Sequence, residues 1–284
     1  MATELEARGH DLRDSLWSAR ILADQPEEIR SVHEAYLQAG AQVVVTASYQ
    51  VSREGFAAAG RDPRSADEAL RSSVRLAREA TRTADALVAA SVGPYGAILH
   101  DGSEYRGDYG VSHQRLVDFH AERLEVLLCE SPDLLAIETI PDVDEVEALV
   151  DALAQYPDAE AWLTMSCSDG AHTCAGQPVE AAVEMAMRAP GIRAVGINCT
   201  APEYIGELLD RMSAVTDLPL VVYPNAGRAW SPARGWSGEA TPVGADLLTL
   251  WRRNPQLSLV GGCCGVGPDA IAAIADGLTA DGSA

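Results

Sequence analysis

Lysine is absent from this 284-residue chain, whose 21 strongly basic residues are all arginine. A catalytic lysine that forms a Schiff base with a carbonyl substrate or with pyridoxal phosphate is therefore excluded. Acidic residues outnumber basic ones by 42 to 21, which gives a formal net charge of −21. This charge disfavours binding to nucleic acid or to an anionic membrane surface, and it permits attraction of a cationic small molecule.

The sequence also lacks the features of a membrane-directed chain. No stretch contains 18 consecutive apolar residues, and the first residues, Met1-Ala2-Thr3-Glu4-Leu5, carry a charge with no apolar signal region after them. We therefore expect a cytoplasmic protein. Thiols stay reduced in the cytoplasm, so the six cysteines indicate metal or redox chemistry rather than a disulfide framework.

Two families of catalytic motif are missing as well. The six histidines form neither a His-Glu-x-x-His nor a His-x-His motif, which argues against a hydrolase with an imidazole-bound metal. The glycine-rich segments have neither the spacing of a dinucleotide-binding fold nor a Gly-Lys-Ser/Thr loop. The sequence therefore predicts no nucleotide-phosphate site of those kinds.

Apolar, strand-like segments alternate with segments of helical periodicity along the whole chain, which is typical of a parallel sheet covered on both faces. Strands are predicted at Gln42–Ser48, Ala86–Pro94, Leu134–Pro141, Ala161–Cys167, Ala194–Thr200, Pro219–Asn225 and Ser258–Cys264. Helices are predicted at Glu27–Ala39, Ala66–Thr83, Ser112–Leu128, Val143–Gln155, Val179–Arg188, Glu203–Val215, Val243–Arg253 and Asp269–Leu278. The alternation predicts an α/β fold, a (β/α)8 TIM-type barrel, with residues 1–284 as a single domain.

One strand of such a barrel has no counterpart in the sequence. The helix predicted at Glu27–Ala39 has no strand before it, and we expect residues 1–25 to form a loop of the kind that follows a strand. We therefore expect a barrel whose first strand is missing or lies upstream of Met1. The alternative is an open seven-stranded sheet, which would leave unpaired edges.

The strongest chemical signal is a set of three cysteines at two predicted strand ends. Gly261-Gly262-Cys263-Cys264-Gly265 ends the last strand, and Asn198-Cys199-Thr200 ends another of the same parity in a full barrel. Carboxyl ends of barrel strands line the active-site mouth, and the flanking glycines allow both adjacent thiols to turn toward one ion. Three thiolates with an open fourth position predict a catalytic Zn²⁺ site.

The other cysteines have less specific interpretations. Adjacent cysteines alone would more often be a buried apolar pair or redox-labile vicinal thiols. Cys129 stands at a helix end, where we expect it to belong to the core, Cys167 ends a strand near the mouth, and Cys174 has no evident partner.

Polar residues at other strand ends are expected to bind the substrate. Glu138 and Thr139 follow an apolar strand, and a carboxylate at such a place is costly unless it meets a cation or hydrogen-bond donors, so we expect an ammonium group as its partner. A hydrogen-bond network without ligand is the alternative. Ser48, Tyr49 and Asn225 follow two other strands and could hold a small ligand, although each is also common in turns.

Aromatic residues are few, at 5% of the chain, yet four of them lie in predicted mouth loops. Tyr49, Tyr95, Trp230 and Trp236 could stabilise a sulfonium or quaternary ammonium group over their ring faces. Packing between loops is the alternative interpretation.

Together these motifs resemble the homocysteine S-methyltransferase family, zinc-dependent (β/α)8 enzymes that methylate a thiol. The resemblance covers nearly the whole chain and rests on Ala2-Thr3-Glu4-Leu5-Glu6, Arg8-Gly9-His10, Leu16-Trp17-Ser18-Ala19, Thr46-Ala47-Ser48-Tyr49-Gln50, Glu138-Thr139-Ile140-Pro141, Gly196-Ile197-Asn198-Cys199, Tyr223-Pro224-Asn225-Ala226-Gly227 and Gly261-Gly262-Cys263-Cys264-Gly265.

The resemblance implies that Cys199, Cys263 and Cys264 bind zinc and that Glu138 helps to hold the amino group of homocysteine. It implies methyl transfer from an onium donor, S-methylmethionine or else S-adenosylmethionine, to homocysteine, giving methionine. The family usually begins with a strand that ends in Asp-Gly-Gly just before Ala-Thr-Glu-Leu, whereas Met1 stands directly before Ala2 here.

Two other classes of function remain open. One is an inactive relative, or a zinc- or thiol-sensing barrel, that lost turnover with its first strand. The other is a barrel oxidoreductase in which Cys263 and Cys264 form a redox pair without metal. For the methyltransferase, the expected partners are the two small-molecule substrates, with no nucleic acid and no membrane, and the expected state is a monomer or a small homo-oligomer.

Overall fold

Seven parallel strands form the main sheet of the computed structural model, which describes residues 1–227, 229–231, 235–237, 241, 243 and 245–280. These strands are β1 (Val43–Val45), β2 (Leu87–Val92), β3 (Leu134–Ile140), β4 (Ala161–Met165), β5 (Ile192–Asn198), β6 (Leu220–Tyr223) and β9 (Leu257–Val260). Two short antiparallel strands, β7 (Ala229–Ser231) and β8 (Gly235–Ser237), pair with each other. The order β1-β2-β3-β4-β5-β6-β9 follows the chain, and every pair in it is parallel.

Helices follow the strands as the alternating pattern predicts. They are α1 (Ala2–Ala7), α2 (Ser18–Asp24), α3 (Pro26–Gln38), α4 (Arg53–Ala58), α5 (Arg64–Ala80), α6 (His113–Leu128), α7 (Val143–Leu153), α8 (Val179–Ala186), α9 (Ile205–Ser213), α10 (Ala245–Trp251) and α11 (Pro268–Ala280). Short 3₁₀ turns lie at Thr81–Thr83, Tyr95–Ile98, Ser103–Tyr105 and Pro202–Tyr204. None of these helices combines the length and the apolarity needed to cross a bilayer.

Residues 1–25 depart from the expected loop, because they contain α1 and α2. Both helices are held by burial of one apolar face: Leu5 of α1 and Ile21 of α2 are fully buried. Segments of six and seven residues are too short to display a helical period, and their stability comes from tertiary packing rather than from local propensity.

The sheet curls until its two outer strands face one cavity. Residues of β1 and of β9 both line a cavity of about 240 Å³, which the helices α3 and α11 cover. Across this junction, the Tyr36 hydroxyl of α3 donates a hydrogen bond to the Val266 carbonyl at 3.0 Å. Among the described strands, β1 and β9 form no ladder with each other. The predicted α/β architecture, a TIM-type barrel without its first strand, is confirmed: seven parallel strands of the described part of the chain curl into a partial barrel, and the two outer strands are not joined where the missing strand would lie.

The interior of the curled sheet is narrow and filled by two aromatic side chains. Three alanines on the inner face of the sheet leave room for the larger side chains of Trp162 and Tyr223, and all five residues belong to one buried cluster. The alanines are Ala89 of β2, Ala136 of β3 and Ala194 of β5. The Trp162 indole Nε1–H donates to the Tyr223 hydroxyl at 3.1 Å, which satisfies the only polar atom of the indole in this apolar place. The larger apolar layer lies outside, between the sheet and the helices.

Candidate metal centre

Three cysteine sulfurs lie together at the carboxyl ends of β5 and β9. The Sγ atom of Cys199 is 2.7 Å from that of Cys263 and 3.7 Å from that of Cys264, and the Cys263 and Cys264 sulfurs are 4.0 Å apart. The structure thereby brings together the three thiols expected to bind zinc. Among the residues that the structure describes, no His, Asp or Glu joins this group, so one position of a tetrahedral ion would stay open.

Backbone irregularities at both strand ends bring about this meeting. Cys199 has a φ of +47° and Gly265 a φ of +82°, in the left-handed region that only glycine adopts without strain. Gly262 is required for a different reason, because a Cβ atom there would lie 2.1 Å from the Val266 side chain. The Cys263 N–H donates to the Pro224 carbonyl at 2.8 Å, which fixes the place at which the chain leaves β9.

The donor set fits a zinc ion. Zn–S bonds of about 2.3 Å in a tetrahedron place the sulfurs about 3.8 Å apart, which matches both distances that involve Cys264. The remaining pair is closer, so the Cys199 and Cys263 sulfurs would have to separate by about 1 Å around an ion. The hydrogen bond with Cys199, followed by burial, raises the pKa of the Cys263 thiol well above its usual value. A bound cation is what reverses that penalty and holds such thiols as thiolates.

Glu138 is a buried carboxylate beside the sulfurs. It lies in β3 with only 8% of its surface exposed, and the Ser91 hydroxyl of β2 donates to its Oε1 atom. Burial raises the pKa of Glu138, against the lowering effect of this hydrogen bond. Ser48 supports the same pair from below, because its hydroxyl donates to the Ser91 carbonyl at 2.7 Å. Ser48 is itself fully buried.

The side-chain amides of Asn198 and Asn225 fix the backbone of the site at Thr139 and at Cys199. Thr139 has a φ of +63°, unusual for a β-branched residue, and Asn198 of β5 accepts from its N–H at 2.7 Å. The Asn225 amide donates to the Cys199 carbonyl at 3.3 Å and accepts from the Gly227 N–H at 2.8 Å. Both ends of this amide are therefore engaged by the chain itself.

The aromatic residues of the mouth divide into two groups. Tyr49 lies edge-on to Trp17 with ring centroids 6.4 Å apart, and burial raises its pKa far above the usual value, followed by the charges of Glu104 and Cys199. Tyr95 instead packs against Tyr109 and Phe119, which agrees with the packing interpretation of this residue. The side chains of Trp230 and Trp236 lie outside the described residues.

The remaining cysteines do not join the three. Cys129 caps the end of α6 and is exposed, so its predicted place in the core is wrong: the helix turns this position toward solvent. Cys167 is buried, and burial raises its pKa well above the usual value. Neither Cys167 nor Cys174 belongs to the group of three cysteines that could hold a metal ion.

The sequence did not point to two residues that contact the site, Tyr105 and Arg123. The Tyr105 hydroxyl lies 3.6 Å from the Cys199 sulfur. Arg123 of α6, buried to 1% exposure, donates to the Gly93 carbonyl at 2.7 Å and to the Tyr49 carbonyl at 2.6 Å, and so ties together the loops after β1 and β2. Tyr105 lies in a loop without periodicity and Arg123 within an ordinary amphipathic helix, so no sequence pattern marks either residue.

A partial barrel with three convergent thiols at its carboxyl-terminal mouth defines an α/β protein of the TIM-barrel type with a thiol cluster that could hold a metal ion. Residues 1–278 match the protein family described as Homocysteine S-methyltransferase. The chain therefore belongs to the homocysteine S-methyltransferase family, as the resemblance predicted, and it is a methyltransferase.

Individual relatives agree along almost the full length. The Homocysteine S-methyltransferase of Escherichia coli is 45% identical over 96% of this chain and 92% of its own, and that named YbgG from Bacillus subtilis is 40% identical over 97% and 91%. The solved structure of the homocysteine methyltransferase MmuM from Escherichia coli, in its metallated form, superposes with a TM-score of 0.86 at 44% identity, covering 97% of this chain and 93% of that one.

Proposed function

We propose that this protein transfers a methyl group from an onium donor to the thiol of homocysteine, giving methionine, with Zn²⁺ held by Cys199, Cys263 and Cys264. The observation that carries the proposal is the meeting of three sulfurs, with no fourth ligand among the described residues, beside the buried carboxylate of Glu138. The names of its relatives, homocysteine S-methyltransferases with the same full-length coverage, support homocysteine as the acceptor.

The thiols form the reacting end of the site. Bound zinc supplies a Lewis acid that keeps the homocysteine sulfur in its thiolate form at neutral pH. Three cysteine thiolates already give the centre a net negative charge, so a sulfur held there keeps the electron density needed for attack. The hydrogen bond between the Tyr105 hydroxyl and the Cys199 sulfur, and the Asn225 bond to the Cys199 carbonyl, hold Cys199 in place.

Glu138 forms the recognition end of the site. Its carboxylate accepts a hydrogen bond from Ser91 and retains further acceptor capacity for an ammonium group. The interaction of a buried carboxylate with an ammonium group is strong because little water competes with it. Thr139, with its fixed backbone, and Tyr49 complete the wall around the acceptor. Ser48 contributes from beneath by holding Ser91.

The reaction is a direct displacement. The thiolate sulfur forms a bond to the donor methyl carbon, the bond between that carbon and the onium sulfur breaks, and its electron pair stays on the departing thioether. A negative nucleophile and a positive donor neutralise each other, so a dry site with aligned substrates lowers the barrier. A homocysteine thiol bound to the metal held by the three cysteines would release its proton to solvent, so the reaction would need no side chain as general base. S-Methylmethionine is the preferred donor, and S-adenosylmethionine is the second candidate.

A donor panel tests this function. Zinc-loaded protein is incubated with homocysteine whose carbon chain is ¹³C-labelled and with either S-methylmethionine or S-adenosylmethionine, and labelled methionine is measured. The methionine that S-methylmethionine leaves after losing a methyl group is unlabelled and is thereby distinguished. We expect labelled methionine that disappears when a chelator removes the metal and returns when zinc is restored. A reversible disulfide between Cys263 and Cys264 in a metal-free, methyl-transfer-inactive protein would support the redox alternative and refute this proposal. Zinc binding without methionine from either donor would favour a sensing relative.

A further inference from the structure

A second carboxylate, that of Glu104, lies on the 3₁₀ turn Ser103–Tyr105 in the loop that follows β2. Tyr105 of this turn places its hydroxyl 3.6 Å from the Cys199 sulfur. Glu104 is the residue directly before it, and its backbone lies against the loop at Gly96, where a Cβ atom would be 2.5 Å from the Glu104 nitrogen. The turn is therefore wedged against the wall of the mouth.

One oxygen of the Glu104 carboxylate lacks a hydrogen-bond partner. Its Oε2 atom is inaccessible to solvent and has no hydrogen-bond partner, and no arginine in the described part of the chain forms an ion pair with this residue. Burial raises its pKa to about 7. A buried acceptor without a donor costs about 1 to 3 kcal/mol, and a bound ligand or ion is one of the reasons for which native proteins keep such a group.

The charge of the Glu104 carboxylate reaches the Tyr49 hydroxyl. Burial raises the pKa of Tyr49 far above its usual value, and the charges of Glu104, Cys199 and Glu138 raise it further. Both carboxylates thus act on one aromatic residue. Glu138 accepts from the Ser91 hydroxyl, and the Glu104 carboxylate accepts from its own backbone N–H, whereas the Oε2 atom of Glu104 has no donor.

We propose that Glu104 binds the α-ammonium group of the methyl donor, so that the site holds two amino-acid substrates with one buried carboxylate for each. The proposal rests on the proposed function, and it narrows the donor to an onium compound that also carries an amino group. An ammonium N–H supplies the hydrogen bond that the Oε2 atom lacks. A sulfonium or quaternary ammonium centre has no N–H to give, so charge attraction alone would leave that acceptor unsatisfied.

The test compares two donors that differ only in the amino group: S-methylmethionine and 4-(dimethylsulfonio)butanoate, in which a hydrogen replaces the ammonium. They are assayed with zinc-loaded wild-type protein and with Glu104→Gln, which keeps the shape of the side chain. Glu203→Gln is the matched control, because Glu203 also precedes a tyrosine in a 3₁₀ turn after a strand but is exposed.

We expect Glu104→Gln to lower kcat/KM for S-methylmethionine by about tenfold or more, since a hydrogen bond to a charged group is lost. The same variant should leave kcat/KM for 4-(dimethylsulfonio)butanoate within about twofold of wild type. Homocysteine affinity, followed through the visible spectrum of the Co²⁺-substituted protein, should not change. Glu203→Gln should behave as wild type with both donors.

Three outcomes would overturn the assignment. An equal loss with both donors would make Glu104 a structural residue, and no loss with either would remove it from the site. A rise in the homocysteine dissociation constant would place Glu104 on the acceptor side. If Glu104→Gln has a lower melting temperature, Glu104→Asp repeats the comparison with the charge retained, and we expect it to restore the preference for the amino donor. Wild-type protein that makes no methionine and shows no homocysteine response in its Co²⁺ spectrum would refute the proposed function itself.

Discussion

Asn198 and Thr139 are joined by two hydrogen bonds between β5 and β3. The Asn198 Oδ1 atom accepts from the Thr139 N–H at 2.7 Å, and its Nδ2 atom donates to the Thr139 hydroxyl at 2.8 Å. The first bond holds a threonine in the left-handed backbone region. The residue before Thr139 is Glu138 and the residue after Asn198 is Cys199, so this one amide couples the recognition end of the site to its reacting end.

Replacement of this amide should therefore destabilise the fold and the site together. Asn198→Ala leaves the Thr139 N–H without an acceptor and removes one hydrogen bond each from the Thr139 and Thr164 hydroxyls, and these losses should lower the free energy of unfolding by about 2 to 4 kcal/mol. Urea unfolding measures the change. A loss below about 0.5 kcal/mol, the usual range for surface substitutions, would mean that Thr139 holds its conformation without Asn198.

Cys264→Ser should abolish tight zinc binding and methyl transfer while leaving the far-ultraviolet circular dichroism unchanged, because a serine hydroxyl is a poor zinc ligand compared with a thiolate. Metal content per chain after dialysis is the measurement. Cys129→Ser is the control, since Cys129 is exposed and lies outside the group. Retained turnover in Cys264→Ser protein that contains no zinc would refute the metal centre.

Glu138→Gln should weaken homocysteine binding much more than zinc binding. The variant keeps the acceptor for Ser91 but loses the charge that attracts an ammonium group, and we expect the homocysteine dissociation constant to rise about tenfold or more. Titration of homocysteine into the Co²⁺-substituted protein measures it, with Co²⁺ stoichiometry as the internal reference. An unchanged dissociation constant would assign Glu138 to a structural network alone.

His33 should make the protein sensitive to acid. It is buried, with no partner for its Nε2 atom, and burial lowers its pKa to about 3. An unfolded histidine takes up a proton near pH 6.5, whereas folded His33 cannot do so until about pH 3. The free energy of unfolding thus falls as the pH drops from about 6.5 to about 3. We expect His33→Leu to shift acid unfolding to lower pH, with the exposed His172→Gln as control. Identical acid transitions in His33→Leu and wild-type protein would contradict this.

Two glycine substitutions should have different effects: Gly93→Ala should lower activity, and Gly206→Ala should raise stability without changing activity. A Cβ atom on Gly93 would lie 2.6 Å from the Tyr49 ring and carbonyl, so Gly93→Ala should displace Tyr49 and lower kcat/KM for the methyl transfer by about tenfold or more. Gly206 in α9 has open space around it, and Gly206→Ala should raise stability by about 0.5 kcal/mol with no effect on turnover. Equal activities of the two variants would argue against a role for Tyr49.

The strands and the longer helices were predictable from sequence because each is an apolar or amphipathic run long enough to show its period. The β5 and β9 ends were predictable for the same reason, and with them the approach of Cys199 to Cys263. The helix Ala2–Ala7 and the turn Ser103–Tyr105 were not, since short segments take their conformation from tertiary contacts. Tyr105 approaches Cys199 across 94 residues of chain, a distance that no local pattern encodes.

The hydrogen bond from Trp162 to Tyr223 continues toward the mouth: Tyr223 pairs with the Thr164 hydroxyl at 2.8 Å, and that hydroxyl donates to Asn198 at 2.8 Å. The indole at the floor of the barrel is thus linked by side chains alone to the residue that precedes Cys199. The fluorescence of Trp162, obtained as the difference between wild-type and Trp162→Phe protein, should therefore report whether a substrate is bound at the mouth of the barrel beside Cys199.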